Sequence, residues 1–178
     1  VSFGVTMGNR SFLDGEVSPL EIFEYADKNK TLPKTNAVNE EAFTEHFGKI
    51  LKDYDAIIHF DISSEMSSAY ANAVNAAKKF ENVYVVDSRT LSTAISLEAI
   101  YAKKLTETMD DPAEIVKAVE KRIPSVQASF IIERLDYLYK GGRCSGLALL
   151  GANLLRIRPE IEVIGGTMKN TEKFRGKM

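Results

Sequence analysis

The chain has 178 residues, 44% of them apolar, enough to bury a substantial core in one domain or in one domain plus part of another. No stretch approaches the roughly 18 uninterrupted apolar residues of a membrane span, and Val1-Ser2-Phe3-Gly4 lacks the basic head and apolar run of a secretion signal, so a globular cytoplasmic protein without an integral membrane segment is expected. The net charge of −2 hides +5 over residues 134–178 against −7 over residues 1–133, a basic end suited to phosphate, an acidic protein or nucleic acid, or else an ordinary solvated face.

Residues 1–7 are strand-like, Gly8-Asn9 is a turn signal and Arg10–Leu13 is extended again, which predicts an opening hairpin. Because no Met begins the chain, Val1 is expected to be an internal point of a longer gene product. Ser18-Pro19-Leu20-Glu21 places a capping hydroxyl, a proline at the first helical position and a glutamate at capping-box spacing, so a helix starts there. Asn39-Glu40-Glu41 opens a second helix, in which Phe43, Phe47, Ile50 and Leu51 repeat at helical spacing until about Tyr54.

Asp55–Phe60 reads as a buried strand, Ser67–Phe80 as an alanine-rich helix, Val83–Val86 as a strand and Leu91–Thr108 as a helix. Asp111-Pro112 opens a helix to about Ile123, and Gln127–Ile132 is a third core strand. This alternation predicts an α/β fold with a mainly parallel sheet flanked by helices, and such sheets carry sites where strands end in loops. The loops after Ile62 and Val86 are therefore the expected site. After Leu155 the pattern changes, with Arg158–Ile164 alternating as a half-exposed strand before a Gly165-Gly166 turn.

Four serines fall within Ser63-Ser64-Glu65-Met66-Ser67-Ser68, between a buried strand and a helix. Their hydroxyls, with unpaired N–H groups at a helix start, form a receptor for a carboxylate or phosphate oxygen; equally, Ser64 or Ser67 caps the helix. The loop is not Gly-x-Ser-x-Gly and neither His46 nor His59 has an evident claim to act as base, so no catalytic residue is assigned. Thr35, in Pro33-Lys34-Thr35-Asn36, either presents its hydroxyl to the same crevice or serves a turn or cap.

Lys140-Gly141-Gly142-Arg143-Cys144-Ser145-Gly146 fails the phosphate-loop pattern. Gly141 in a left-handed conformation would end a Leu135–Tyr139 helix, and Ser145 would cap the next one. Cys144, the single cysteine, excludes an internal disulfide framework; it is either a thiol of depressed pKa beside a cation or a packing residue. It forms no metal-ligand pair with the separated histidines, so no metal and no cofactor is expected. Leu147–Leu155 is a helix apolar on nearly every face, buried on several sides or lining a cavity, with Gly146 and Gly151 permitting close approach.

Taken in order, Phe12-Leu13-Asp14-Gly15, Leu32-Pro33-Lys34-Thr35, Ile62-Ser63-Ser64, Val86-Asp87-Ser88, Leu135–Arg143 and Leu154–Pro159 resemble the DegV family of bacterial fatty-acid-binding proteins. The resemblance implies a long-chain acyl group held in a tunnel between two α/β domains, bound without being transformed and presented to a partner kinase that phosphorylates its carboxylate. It implies that Thr35, Ser63 and Ser64 hold the carboxyl group, and that Arg175 and Lys177 belong to a basic segment docking the kinase. The division it implies is an extended hairpin over 1–15 with the second domain as pairing partner, a DegV-like α/β domain over 16–155, and the beginning of a second, incomplete domain over 156–178.

Asn36-Ala37-Val38 departs from the family's usual Ser-Gln-Pro, Glu65 stands where glycine is common, and Ser68-Ala69 replaces Gly-Thr. Glu65 is expected to point away from a bound carboxylate. The family's N-terminal Thr-Asp-Ser strand and most of its second domain, with a carboxyl-contacting histidine, do not match any part of this sequence. Two other functions stay open from the residues alone: a hydrolase or transferase using the Ser63/Ser64 loop, and a nucleic-acid-binding module using the basic end.

Overall fold

The computed structural model describes residues 1–132, 136–145 and 157–175. The opening hairpin forms as expected, β1 (Gly4–Met7) pairing antiparallel with β2 (Arg10–Leu13) around Gly8 at φ 62°. The other edge of β1 takes β3 (Lys34–Asn36), which leaves only the outer edges of β2 and β3 open to further pairing. Between them lies α1 (Pro19–Asn29), whose start is a complete capping box: Glu21 N–H donates to Ser18 Oγ and the Ser18 N–H donates back to the Glu21 carboxylate.

The centre is a parallel pair, β4 (Ile57–Asp61) beside β5 (Val83–Asp87), in a register that sets Asp61 opposite Asp87. Strand alternation sends their side chains to two layers. Ile57, Val83 and Val85 meet α2 (Glu40–Ile50) and α3 (Ala69–Ala77), where Phe43, Phe47 and four alanines are buried. Ile58, Phe60 and Val86 meet α4 (Thr93–Leu105) and α5 (Pro112–Arg122) through Ala102, Ile115 and Val119. The alanines of α3 permit a close approach to the sheet, and Phe47, with 0% exposure, contributes about 2–3 kcal/mol through burial of its ring.

The α/β class is as the sequence predicts, and the parallel pairing is small. The third expected core strand, β6 (Ser129–Ile131), does not extend the β4–β5 ladder. It pairs antiparallel with β8 (Ile157–Ile164), which turns through Gly165-Gly166 into β9 (Thr167–Arg175). The short β7 (Cys144–Ser145) lies parallel to β9, completing the order β6-β8-β9-β7. Periodicity identifies β6 as a strand but carries no information about its neighbour, and the alternating β8 supplies a ladder that β4 and β5 do not.

This second sheet packs on the loop after β4, with Met66, Ile62 and Leu91 against Cys144, Ile161, Met168 and Phe130. Helix α6 (Asp136–Gly141) precedes it, and the left-handed residue that ends α6 is Gly142, at φ 70°, rather than Gly141. The helix expected over Leu147–Leu155, with Gly146 and Gly151, lies outside the described residues. Among the described residues no helix is long and apolar enough to cross a membrane.

Candidate functional site

The loops after β4 and β5 meet at the C-terminal edge of the parallel pair, as the alternation predicts. Ser63 N–H donates to Thr90 O at 2.9 Å and Ser88 N–H to Asp61 O at 3.3 Å, and both serines are fully buried. Asp87 organises the junction. Its carboxylate accepts from Ser64 Oγ at 2.6 Å, from Ser64 N–H at 3.1 Å and from Arg89 N–H at 3.0 Å. The bond to the amide two residues on closes an Asx turn, which holds Arg89 at φ 53°, a left-handed conformation unusual outside glycine.

Arg89 then reaches across the site. Its Nη1 donates to Ser64 Oγ at 3.1 Å and lies 3.3 Å from Glu65 Oε1 and 3.5 Å from Asp87 Oδ2, while its Nη2 donates to Gly165 O at 2.5 Å. Ser63 Oγ donates to Gly166 O at 2.7 Å, so the β8–β9 turn is seated on the serine loop. Gly166, at φ 84°, adopts a conformation that strains any side chain, and a Cβ there would lie 2.6 Å from Ser63 Oγ and 2.9 Å from the Arg89 guanidinium carbon, so both side chains would have to shift.

Ser63 and Ser64 are thus adjacent and polar, and the amides of their own loop, which precedes the start of α3 at Ala69, are already paired. The N–H groups of residues 63–67 bond to Thr90 O, Asp87, Ser63 Oγ and Ser63 O, because the loop is wound into its own turns before α3 begins. Neither Ser64 nor Ser67 is the cap: Ser68 stands at the N-cap of α3 without a side-chain capping bond, and Ser67 Oγ accepts from Ala69 N–H in a local turn. Glu65 is turned toward Arg89 as an ion pair.

Thr35 lies in β3 opposite Val5, exposed, in a strand and not in the turn or cap considered from sequence. Its strand exits toward α3, where Asn72 Nδ2 donates to Val38 O at 2.8 Å. Arg175 is the last residue of β9, and Lys177 lies outside the described residues. Cys144 is buried and its thiol is pushed up by desolvation, the opposite of an activated thiol.

Among the described residues neither serine hydroxyl is bonded to a histidine; Ser63 Oγ donates to Gly166 O and Ser64 Oγ to Asp87. His59 lies with its Nε2 3.4 Å from Asp61 Oδ2 and its ring edge-on to Phe43 and Phe47, both at 5.3 Å between centroids. Leu91, Ala94, Leu97 and Phe130, with Ser92, Gln127 and Ser129 between them, line an open surface groove of about 560 Å³. Among the described residues no three His, Cys, Asp or Glu are grouped to hold a metal ion.

Sequence reasoning placed Asp87 in a motif but missed its role, and it missed Arg89 and Glu98 altogether. An arginine two residues beyond the strand-ending aspartate was the available signal for Arg89. Glu98 occupies the buried stripe Ala94, Glu98, Ala102 at four-residue spacing, so its burial was legible. It is 1% exposed, neither carboxyl oxygen has a hydrogen-bond partner, and burial, with Asp87 nearby, pushes its pKa up to about 7.

Comparison with known proteins gives a match over residues 1–178 to the family described as "Uncharacterised protein, DegV family". A DegV domain-containing protein of Clostridium acetobutylicum is 32% identical over 97% of this chain and 63% of its own length. The Thermotoga maritima protein named "Fatty acid-binding protein" is 33% identical over 90% of this chain and 58% of its own length. The crystal structure of a DegV lipid binding protein from Thermotoga maritima superposes with a TM-score of 0.82 at 32% identity, covering 98% of this chain and 63% of that one. The chain therefore spans about three-fifths of the length of these relatives.

Proposed function

The chain belongs to the DegV family, and from that premise we propose that it binds a long-chain fatty acid without transforming it and presents the carboxylate to a partner kinase. The observation that carries this reading is a pair of adjacent serines at the sheet's loop edge with no histidine bonded to either hydroxyl among the described residues. A carboxylate needs only donors, whereas a serine nucleophile needs a base free to take its proton, and the carboxylate in contact with Ser64, Asp87, is itself tied to the Ser64 and Arg89 amides.

In this reading Ser63, Ser64 and Thr35 serve the headgroup, and the groove walled by Leu91, Ala94, Leu97 and Phe130 takes part of the tail. The tail supplies most of the affinity, at about 0.8 kcal/mol for each buried methylene against about 1 kcal/mol for a hydroxyl hydrogen bond. Residues 156–178 begin a second unit whose hairpin faces the headgroup loop, and the basic end around Arg175 and Lys177 docks the kinase in the cytoplasm.

The test is to purify the complete gene product, extract it with organic solvent and analyse the lipids by mass spectrometry, before and after incubation with saturated and unsaturated fatty acids. Stoichiometric fatty acid is expected. Protein that carries none and takes up none would end the proposal. Incubation of the loaded protein with ATP and a fatty-acid kinase is expected to yield acyl phosphate.

A further inference from the structure

The β8–β9 turn offers two carbonyl oxygens on consecutive residues to two different donors. Gly165 O is held by the Arg89 guanidinium at 2.5 Å and Gly166 O by the Ser63 hydroxyl at 2.7 Å. A pair of adjacent acceptor oxygens met by a guanidinium and a hydroxyl is the donor pattern that a carboxylate requires. Ser63 has a single hydroxyl proton, and while Gly166 accepts it Ser63 cannot donate to a ligand.

Resting on the lipid-binding reading above, we propose that Arg89 and Ser63 together form the acid-selective headgroup site, and that the Gly165-Gly166 turn holds this site until a carboxylate displaces its carbonyls. The ligand's carboxylate takes the place of Glu65 on the guanidinium as well as that of the Gly165 carbonyl, so the balance of charge around Arg89 and Asp87 is kept through the exchange. Glu65, 3.3 Å from Arg89 and 49% exposed, can be released to water when the ligand arrives, because an exposed ion pair contributes little. Asp87 stays in place, since its bonds to Ser64 and to the Arg89 amide keep the guanidinium aimed across the site.

Arg89 is thus a specificity-determining residue that separates fatty acids from neutral lipids of equal length. The experiment measures affinities of palmitic acid and hexadecan-1-ol for the complete gene product, for Arg89→Gln and for Arg89→Lys. Arg89→Gln is expected to weaken the acid by about 30-fold while changing the alcohol by less than about threefold, the size of a lost hydrogen bond to a charged group. Arg89→Lys is expected to retain most of the preference for the acid.

Binding of the alcohol reports that each variant is folded. Equal weakening of acid and alcohol in Arg89→Gln would reduce Arg89 to a structural support and overturn the proposal, as would an unchanged affinity for the acid. If the unsubstituted protein binds neither lipid, the fatty-acid reading itself fails and this inference falls with it. Binding of both, unaffected by Arg89→Gln, removes the Arg89 assignment alone.

Discussion

Ser63, at the end of the parallel pair, donates its hydroxyl proton to the carbonyl oxygen of Gly166, 103 residues further along the chain, at 2.7 Å. This bond joins the α/β layers to the second sheet at the point where the two loops of the parallel pair converge. The packing of Met66 and Ile62 against Ile161 and Met168 surrounds it with apolar contacts, so the polar bond is formed beside a small core of its own.

Gly166→Ala is expected to be costlier than Gly15→Ala, although both glycines have positive φ. At Gly15, φ 96°, a Cβ meets nothing within 4 Å, so only backbone strain of about 1–2 kcal/mol is added. At Gly166 the Cβ also strikes Ser63 Oγ at 2.6 Å, forcing the turn off the serine. Urea unfolding of both variants provides the comparison, and equal losses would contradict the seating of the turn.

Asp87→Ala removes the acceptor for the Ser64 hydroxyl, the Ser64 amide and the Arg89 amide at once. A loss of about 2–4 kcal/mol in unfolding free energy is expected, because donors left without partners cost more than a hydrogen bond contributes. Asp87→Asn, which keeps one acceptor oxygen, is expected to lose about half as much. Hydrogen exchange at the Ser64 and Arg89 amides is expected to accelerate in Asp87→Ala.

Glu98 makes stability depend on pH in an unusual direction. Its folded pKa, raised from 4.5 to about 7, means that the folded state holds a proton which the unfolded state has released between those values. Its contribution is therefore fully present below about pH 4.5 and is lost as pH rises through 7. The loss is on the order of 3 kcal/mol at most. Glu98→Gln, neutral at every pH, is expected to abolish this slope and to be the more stable form at pH 8, as read by thermal unfolding from pH 5 to 8.

Phe47→Ala is expected to cost about 3–5 kcal/mol, since Phe47 is fully buried against Phe43, Phe80 and His59. Tyr54→Ala, at a residue 67% exposed, is expected to change stability by less than about 0.5 kcal/mol. Chemical denaturation of the pair separates core packing from surface exposure on the same α2–β4 segment.

Much of this fold is legible in local chemistry. The capping box Ser18–Glu21, the Asn39 cap whose Oδ1 accepts from Ala42 N–H, the apolar face of Phe43 and Phe47, and the Gly165-Gly166 turn all act within a few residues. Their effects are complete once the neighbouring backbone is in place. The loops after β4 and β5 were likewise marked by alternation of strand and helix, which directs sites to strand ends. Boundaries drifted: the helix expected over Ser67–Phe80 is Ala69–Ala77, because the serines fold into turns of their own.

From sequence alone, then, the class of fold, the α1–α5 and β4–β5 succession and the two loops that meet are determined, since each depends on periodicity or on bonds spanning a few residues, whereas β3, β7 and β9 are not read from it. Only the tertiary structure decided that β6 joins the hairpin sheet, that Arg89 crosses to Gly165, and that the amides around Ser63 are already satisfied. The second depends on a donor finding its acceptor across 76 residues of chain, and the Ser64 amide finds Asp87 across 23. A serine or an arginine has the same hydrogen-bonding capacity wherever it stands, and folding alone selects the partner that uses it.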